Sequence, residues 1–413
     1  MSNNKLQKKI LVPQYVRKFQ CIAERCEDSC CKGWRIEIDR ATYKKYKNLK
    51  RGELSLKIDK YVTRNRNMRT SNDRFAKIKM INGKCPFQDE SKLCMIQSGL
   101  GIDGLSVVCK VYPRIINLVD GCFEKSLTMS CPEAAKLALL NKEKMQFDQY
   151  TEEIDIEYNN KNINTREVTG NVLVKYMWDL RIFAISVLQN REYSIEHRLI
   201  ILGLLCDKIQ KMTDCDKNTD VLKVIDQYEG YIKSGILVEL IDDMPVNYTV
   251  QFRFLKEMVD KKLLMGVSSE EYMQYFEEFL RGIGCVEGAE AELVINNYKK
   301  AIEEQYKPFM KMNSHILENY LVNYVFAMVF PYSSTRNLFD SYMMIVINYS
   351  MIKMLLAGVA LYNDGITPQI ATDIIQKFSK VVEHSKEYQY TIERNMLEHK
   401  YNTMPYMSVL LKN

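Results

Sequence analysis

Residues 173–188 read Leu173-Val-Lys-Tyr-Met-Trp-Asp-Leu-Arg-Ile-Phe-Ala-Ile-Ser-Val-Leu188. Leu173, Tyr176, Met177, Leu180, Phe183, Ala184, Val187 and Leu188 recur at i, i+3, i+4 and i+7, the stripe of a helix with one buried face. Similar stripes run through about 198–241, 250–282, 290–310, 314–329, 340–362 and 367–400. No unit of 20–50 residues repeats, so the pattern predicts a bundle-like array rather than a solenoid. Composition agrees. Only 17 Gly and 9 Pro in 413 residues leave too few turn formers for an all-β fold, and 46% hydrophobic with 27% charged residues belongs to a folded chain, not a disordered one. The fold predicted is mainly α. A cysteine-rich domain over 1–145 with little regular sheet precedes an irregular helical bundle-like domain over 165–413, and the acidic, Asn-rich stretch 146–164 reads as the linker.

Nine of the twelve cysteines fall in the first 131 residues: Cys21, Cys26, Cys30, Cys31, Cys85, Cys94, Cys109, Cys122 and Cys131. The amino terminus carries lysines but no apolar stretch of signal-peptide length, which predicts a cytoplasmic protein whose thiols stay reduced. Grouped thiols in that setting bind metal or do redox chemistry. The spacings Cys21-x4-Cys26-x3-Cys30-Cys31, Cys85-Pro-Phe-x6-Cys94 and Cys109 read as two halves of one site, with zinc and iron–sulfur both open. Position 33 is Gly, so the Cys-x3-Cys-x2-Cys spacing of radical enzymes is absent. Cys206 sits in an apolar run and, with Cys215 and Cys285, reads as packing or incidental.

Between the two cysteine groups, residues 44–84 hold fourteen Lys and Arg against Glu53, Asp59 and Asp73, a local excess of +11 in a chain whose total is +6. Such a field attracts an acidic protein, a nucleic acid or an anionic cofactor, unless the segment is a plain solvated insertion. The chain has no zinc-finger Cys2His2 spacing and no RNA-recognition aromatic motif, which argues against nucleic acid. Gly99-Leu-Gly101-Ile-Asp-Gly104 matches a dinucleotide fingerprint in letters only, and reads as a turn that brings Cys94 near Cys109. Only four His occur, with no paired spacing, so a metallohydrolase is disfavoured. The most membrane-like window, 343–361, contains Asn348 and Lys353 and predicts a buried helix, not a membrane span.

Four stretches together resemble the bacterial flagellin lysine-N-methylase family: Phe19-Gln-Cys21 through Cys30-Cys31-Lys-Gly-Trp34-Arg-Ile-Glu-Ile-Asp39, Cys85-Pro-Phe-Gln through Cys109-Lys-Val-Tyr112-Pro-Arg114, Glu124-Lys-Ser-Leu-x-Met-Ser-Cys131-Pro-Glu-Ala-Ala, and Leu317-Glu-Asn-Tyr-Leu-Val-Asn-Tyr-Val-Phe326. The first two also resemble small proteins described as zinc- or iron-chelating cysteine clusters. The resemblance implies methyl transfer from S-adenosylmethionine to lysines of flagellin, and a [4Fe–4S] cluster, with zinc the alternative. Carried onto this chain, Cys26, Cys30, Cys31, Cys85, Cys94 and Cys109 are the first candidates for metal ligands, with Cys21 and Cys131 behind them. Cys122 is outside the family pattern. Trp34, Asp103, Tyr112 and Arg114 are the candidates for donor or substrate binding. The competing expectation is a metal-binding interaction protein without catalysis, using the basic segment to hold a partner or nucleic acid.

Overall fold

The structure, a computed structural model, describes residues 7–33, 35–66, 72–153, 158–166, 172–216, 219–267, 269–332 and 336–413. Helices dominate it, as the stripes require. The segment around Leu173 forms helices Val172–Lys175 and Met177–Leu188, which bury Leu180, Phe183, Ala184, Val187 and Leu188. The centre of the helical body is the 25-residue helix Leu338–Tyr362, long and apolar enough to cross a membrane but buried here among its neighbours. Its polar residue Lys353 is fully buried, and Nζ donates to the carbonyls of Leu410 (3.2 Å) and Leu411 (2.9 Å) and to Asn413 Oδ1 (3.0 Å). Helix Glu270–Gly282 runs close against it because both contribute glycine: a Cβ on Gly282 would stand 2.2 Å from the Gly358 carbonyl, and one on Gly358 would stand 2.3 Å from the Phe279 ring.

Among the described residues eight strands accompany the helices: β1 (Gln7–Pro13), β2 (Glu37–Ile38), β3 (Val62–Arg64), β4 (Ala76–Ile78), β5 (Arg114–Val119), β6 (Cys122–Leu127), β7 (Phe147–Glu153) and β8 (Lys161–Ile163). The larger sheet has the order β7-β1-β6-β5-β8, and the smaller β2-β4-β3. A two-residue turn at Asp120-Gly121, both at positive φ, closes the β5–β6 hairpin with Val119 opposite Cys122.

The stretch 146–164, expected as an acidic linker, therefore carries two strands of the sheet. As an edge strand with largely exposed side chains, β7 tolerates its acids: Glu152 lies opposite Lys8 of β1, and Lys125 of β6 reaches Glu152 at 3.4 Å. The main core also crosses the expected boundary, packing Tyr15, Leu127, Met129, Cys131 and Ala134 with the helices that follow. Arg181 and Glu124 pin the sheet to this body through a fully buried bidentate pair, 2.6 and 2.8 Å. Asn323 of helix His315–Ala327 does the same at another point, accepting from Tyr15 Oη at 2.6 Å and donating to the Leu127 carbonyl at 3.1 Å.

The basic segment is not a solvated insertion. Its helices Arg40–Lys47 and Glu53–Tyr61 pack with β2–β4 on a core of their own, with Ile36, Ile38, Tyr46, Ile58, Val62, Ala76, Ile78, Phe87 and Ile96 inward and Lys44, Lys45, Lys60 and Arg64 exposed. This satellite core is the second of two places where the cysteines gather.

Candidate functional site

The Cys-rich loop 26–33 lies where the satellite meets the helical body. Its anchor is Asp28, 5% exposed, which accepts from Lys380 Nζ (2.5 Å), Lys377 Nζ (3.2 Å) and Gln376 Nε2 (3.0 Å). Burial pushes this carboxyl up, but Lys380 above all, then Lys377 and Gln376, hold it below the ordinary range. Gln376 also donates to the Ser130 carbonyl at 2.6 Å, while Ser130 Oγ lies 2.7 Å from His384 Nε2 and 3.2 Å from Tyr112 Oη. Loop, hairpin end and C-terminal helices are thus tied at one point.

Beside that point opens a cavity of about 490 Å³ lined by Cys21, Cys26, Cys30, Cys31, Cys94 and Cys131 together with Tyr112 and Arg114. The eight family-pattern cysteines fall into two sets, six of them lining the cavity and Cys85 and Cys109 lying behind it on the satellite core. Cys31, Cys85, Cys94 and Cys109 pack on the satellite core. Cys21, Cys26, Cys30 and Cys131 stand around the cavity, Cys131 belonging to the main core. The Cys85 amide donates to the Cys31 carbonyl at 2.8 Å, which joins the two sequence motifs through their backbones.

The thiols are also bonded to one another. Cys30 is pushed far up, first by donating to Cys31 and then by burial. Cys31 is drawn down by Cys30 but raised by its own bond to Cys85 and by burial, to about 12. Cys85, which receives that bond, falls below the usual thiol range despite burial, so the relay ends on the sulfur most ready to ionise. Burial raises Cys109 and Cys131 to about 11. Among the described residues no three His, Cys, Asp or Glu side chains converge as a shared ion requires. A thiol that binds a metal must first give up its proton. As a donor set, neighbouring thiols suit a soft ion or an iron–sulfur cluster.

Of the four residues read as donor- or substrate-binding, the structure places two in the cavity wall. Tyr112 stands there with its hydroxyl pushed up by burial and by the neighbouring Cys131, and Arg114 lies over the Phe19 ring at 5.7 Å. Asp103 does not join them: its side chain is 80% exposed and pairs with Lys110 at 3.1 Å, because the short helical turn Ile102–Gly104 aims it at solvent. Trp34 lies outside the described residues. Cys122 sits on β6 beside Lys9 and Glu124, apart from the thiol group, as the family pattern implies. Sequence reading missed Asp28, Gln376, Lys377, Lys380 and His384. Asp28 stands inside the first cysteine motif and was available to it, whereas its partners come from an ordinary amphipathic helix some 350 positions away.

A helical body bearing a cysteine-rich satellite, with a thiol-lined cavity at their junction, defines a thiol-cluster protein of mainly α fold. The family described as FliB lysine N-methylase C-terminal domain matches residues 181–410. The chain belongs to this family, and its class of enzyme is the protein-lysine N-methyltransferases, which sets aside the non-catalytic expectation. Two relatives named Lysine-N-methylase, from Salmonella typhimurium and Salmonella choleraesuis, are each 22% identical over 391 residues, 93% of this chain and 94% of theirs. A protein named Flagellar biosynthetic protein FliU, from Salmonella muenchen, is 33% identical over 130 residues, 31% of this chain and 75% of that one. No solved structure matches.

Proposed function

We propose that this protein moves a methyl group from S-adenosylmethionine to lysine side chains of flagellin, and that its cysteines hold a metal centre, an iron–sulfur cluster before zinc. The observation that carries the reading is the cavity where six cysteines meet Tyr112 and Arg114 in a chain of the lysine-methylase family. Flagellin as the acceptor rests on the flagellar name of the FliU relative.

The donor supplies a methyl group already activated on a sulfonium. What remains for the chain is to present a neutral amine in line with it. A free lysine has a pKa near 10.4, so its neutral form is scarce at pH 7, and desolvation in a cavity walled by Tyr112, Phe19 and Pro113 favours that form. Positioning of two reactants supplies much of the rest. Each set supplies four thiols, the number a four-ligand site takes, and binding would have to draw them together. Cys31, Cys85, Cys94 and Cys109 would clamp the first motif to the satellite core, and Cys21, Cys26, Cys30 and Cys131 would fix the cavity wall. The exposed lysines and arginines of the satellite face outward and suit an acidic face on the protein substrate.

The test is transfer of labelled methyl from S-adenosylmethionine to purified flagellin by anaerobically purified, metal-loaded enzyme. The expected result is label on flagellin lysines, lowered at least tenfold by Tyr112→Phe with Arg114→Ala. No label with all components present overturns the reading. Iron, sulfide and zinc analysis with a visible spectrum, on wild type and on Cys30→Ala and Cys85→Ala, decides the metal.

A further inference from the structure

On the other side of the loop 26–33 from the thiols lies a second, polar cavity of about 230 Å³, walled by Lys32, Arg35, Lys262 and Lys380, with Ser269, Glu271, His384 and Ser385 between them. Three of the four cations have carboxylates of their own. Lys32 pairs with Glu271 at 3.2 Å, Arg35 with Glu37 at 2.6 Å and Lys380 with Asp28 at 2.5 Å. Lys262 has none. It is 6% exposed, its one hydrogen bond among the described residues goes to Ser385 Oγ at 3.4 Å, and its Nζ lies 5.7 Å over the Tyr388 ring. Burial holds its pKa down, against the Glu387 carboxylate, which acts on it without forming an ion pair. A buried ammonium with no carboxylate against it carries a desolvation penalty, which an anion entering the cavity relieves.

The cavity offers the other half of such a site as well. Its lining includes the hydroxyls of Ser269 and Ser385, and Lys32 and Lys380 keep hydrogens to spare beyond their carboxylates. The volume admits a carboxylate or phosphate group with its attached atoms. We infer that this cavity is an oxyanion site in which Lys262 is the counter-ion and Lys32 and Lys380 are auxiliary donors. The oxyanion has two possible sources, a free phosphate-like ion and the carboxylate of the methyl donor's amino-acid end. The second rests on the function proposed above, the first does not.

The experiment is isothermal titration of the full chain with inorganic phosphate, S-adenosylhomocysteine and 5′-methylthioadenosine, which lacks the carboxylate, on wild type, Lys262→Gln and Lys262→Arg. Saturable phosphate binding, weakened at least tenfold in Lys262→Gln and kept in Lys262→Arg, supports a free oxyanion. S-adenosylhomocysteine binding weakened to the same extent, with methylthioadenosine unaffected, supports the donor carboxylate. Ligand binding that is equal in wild type and Lys262→Gln overturns the site, as does wild type that takes up neither phosphate nor S-adenosylhomocysteine. If S-adenosylhomocysteine alone fails to bind while phosphate responds as expected, the oxyanion site stands and the donor reading falls. Melting temperatures of both variants within about 3 °C of wild type exclude a folding defect as the cause.

Discussion

The carboxylate of Asp28 sits 2.5 Å from Lys380 Nζ, across 352 positions of chain, with Lys377 Nζ at 3.2 Å on its other oxygen. This is the pin that holds the first cysteine motif against the C-terminal helices. Removing one partner of a buried pair leaves the other charge unsatisfied, at a cost of about 3–5 kcal/mol. Asp28→Ala is expected to lower unfolding free energy by that order in urea titration, and a loss under about 1 kcal/mol would show that the pin is slack. Asp28→Ala combined with Lys377→Met and Lys380→Met is expected to recover part of it.

The pair Arg181–Glu124 makes a parallel case in the sheet, with side-chain exposures of 2% and 0%. Arg181→Met alone is expected to cost about 3–5 kcal/mol, while Arg181→Met with Glu124→Leu approaches wild-type stability, because two charges then leave the interior together. A thermal double-mutant cycle reads the difference; equal losses in the single and double variants would contradict it.

Glu383 supplies the pH dependence. Burial raises its carboxyl to about 7, against a smaller opposing contribution from the Tyr320 hydroxyl that donates to it at 2.5 Å. The folded form keeps its proton to higher pH than the unfolded chain, where the carboxyl titrates near 4.3. The stabilisation is therefore whole below that value and is lost as pH rises toward 7, a fall of up to about 3 kcal/mol. Glu383→Gln is expected to flatten the decline in melting temperature between pH 5 and 8. A wild-type profile that rises over this interval for reasons traceable to Glu383 would refute the sign.

For the thiols, Cys85→Ala and Cys131→Ala fall in different sets and are expected to separate. Cys85→Ala removes the buried, most ionisable sulfur of the satellite set and is expected to unfold the satellite by protease mapping. Cys131→Ala leaves that core intact and alters only metal content and the cavity. Identical protease maps for the two variants would remove the distinction between the sets.

The helices were open to reading because each buries a stripe whose period the chain must display, as residues 173–188 do. The sheet was harder. Asp120-Gly121 stands between two alternating apolar runs and is a direct hairpin signal, yet it lies inside a cysteine-rich region where thiol spacing draws attention first. β7 hid behind its acids, since an edge strand with few buried positions shows little hydrophobic alternation. In the site, the cysteines announced themselves through clustering, and Tyr112 and Arg114 through nearness to them. Asp103 shared that nearness and still faces water, because adjacency in sequence says nothing of the side on which a turn presents a residue. Lys262, Lys377 and Lys380 were illegible for a related reason: a lysine on an amphipathic helix looks the same whether solvent or a buried carboxylate receives it.

The docking of loop 26–33 onto residues 376–380 also imposes an order in time. During translation the cysteines of the first motif leave the ribosome hundreds of residues before the lysines that seat them. Until then the nascent thiols have the satellite for company but no finished cavity wall. The satellite set can mature early, whereas the cavity set takes its final shape only once residues 376–380 have been made and have docked.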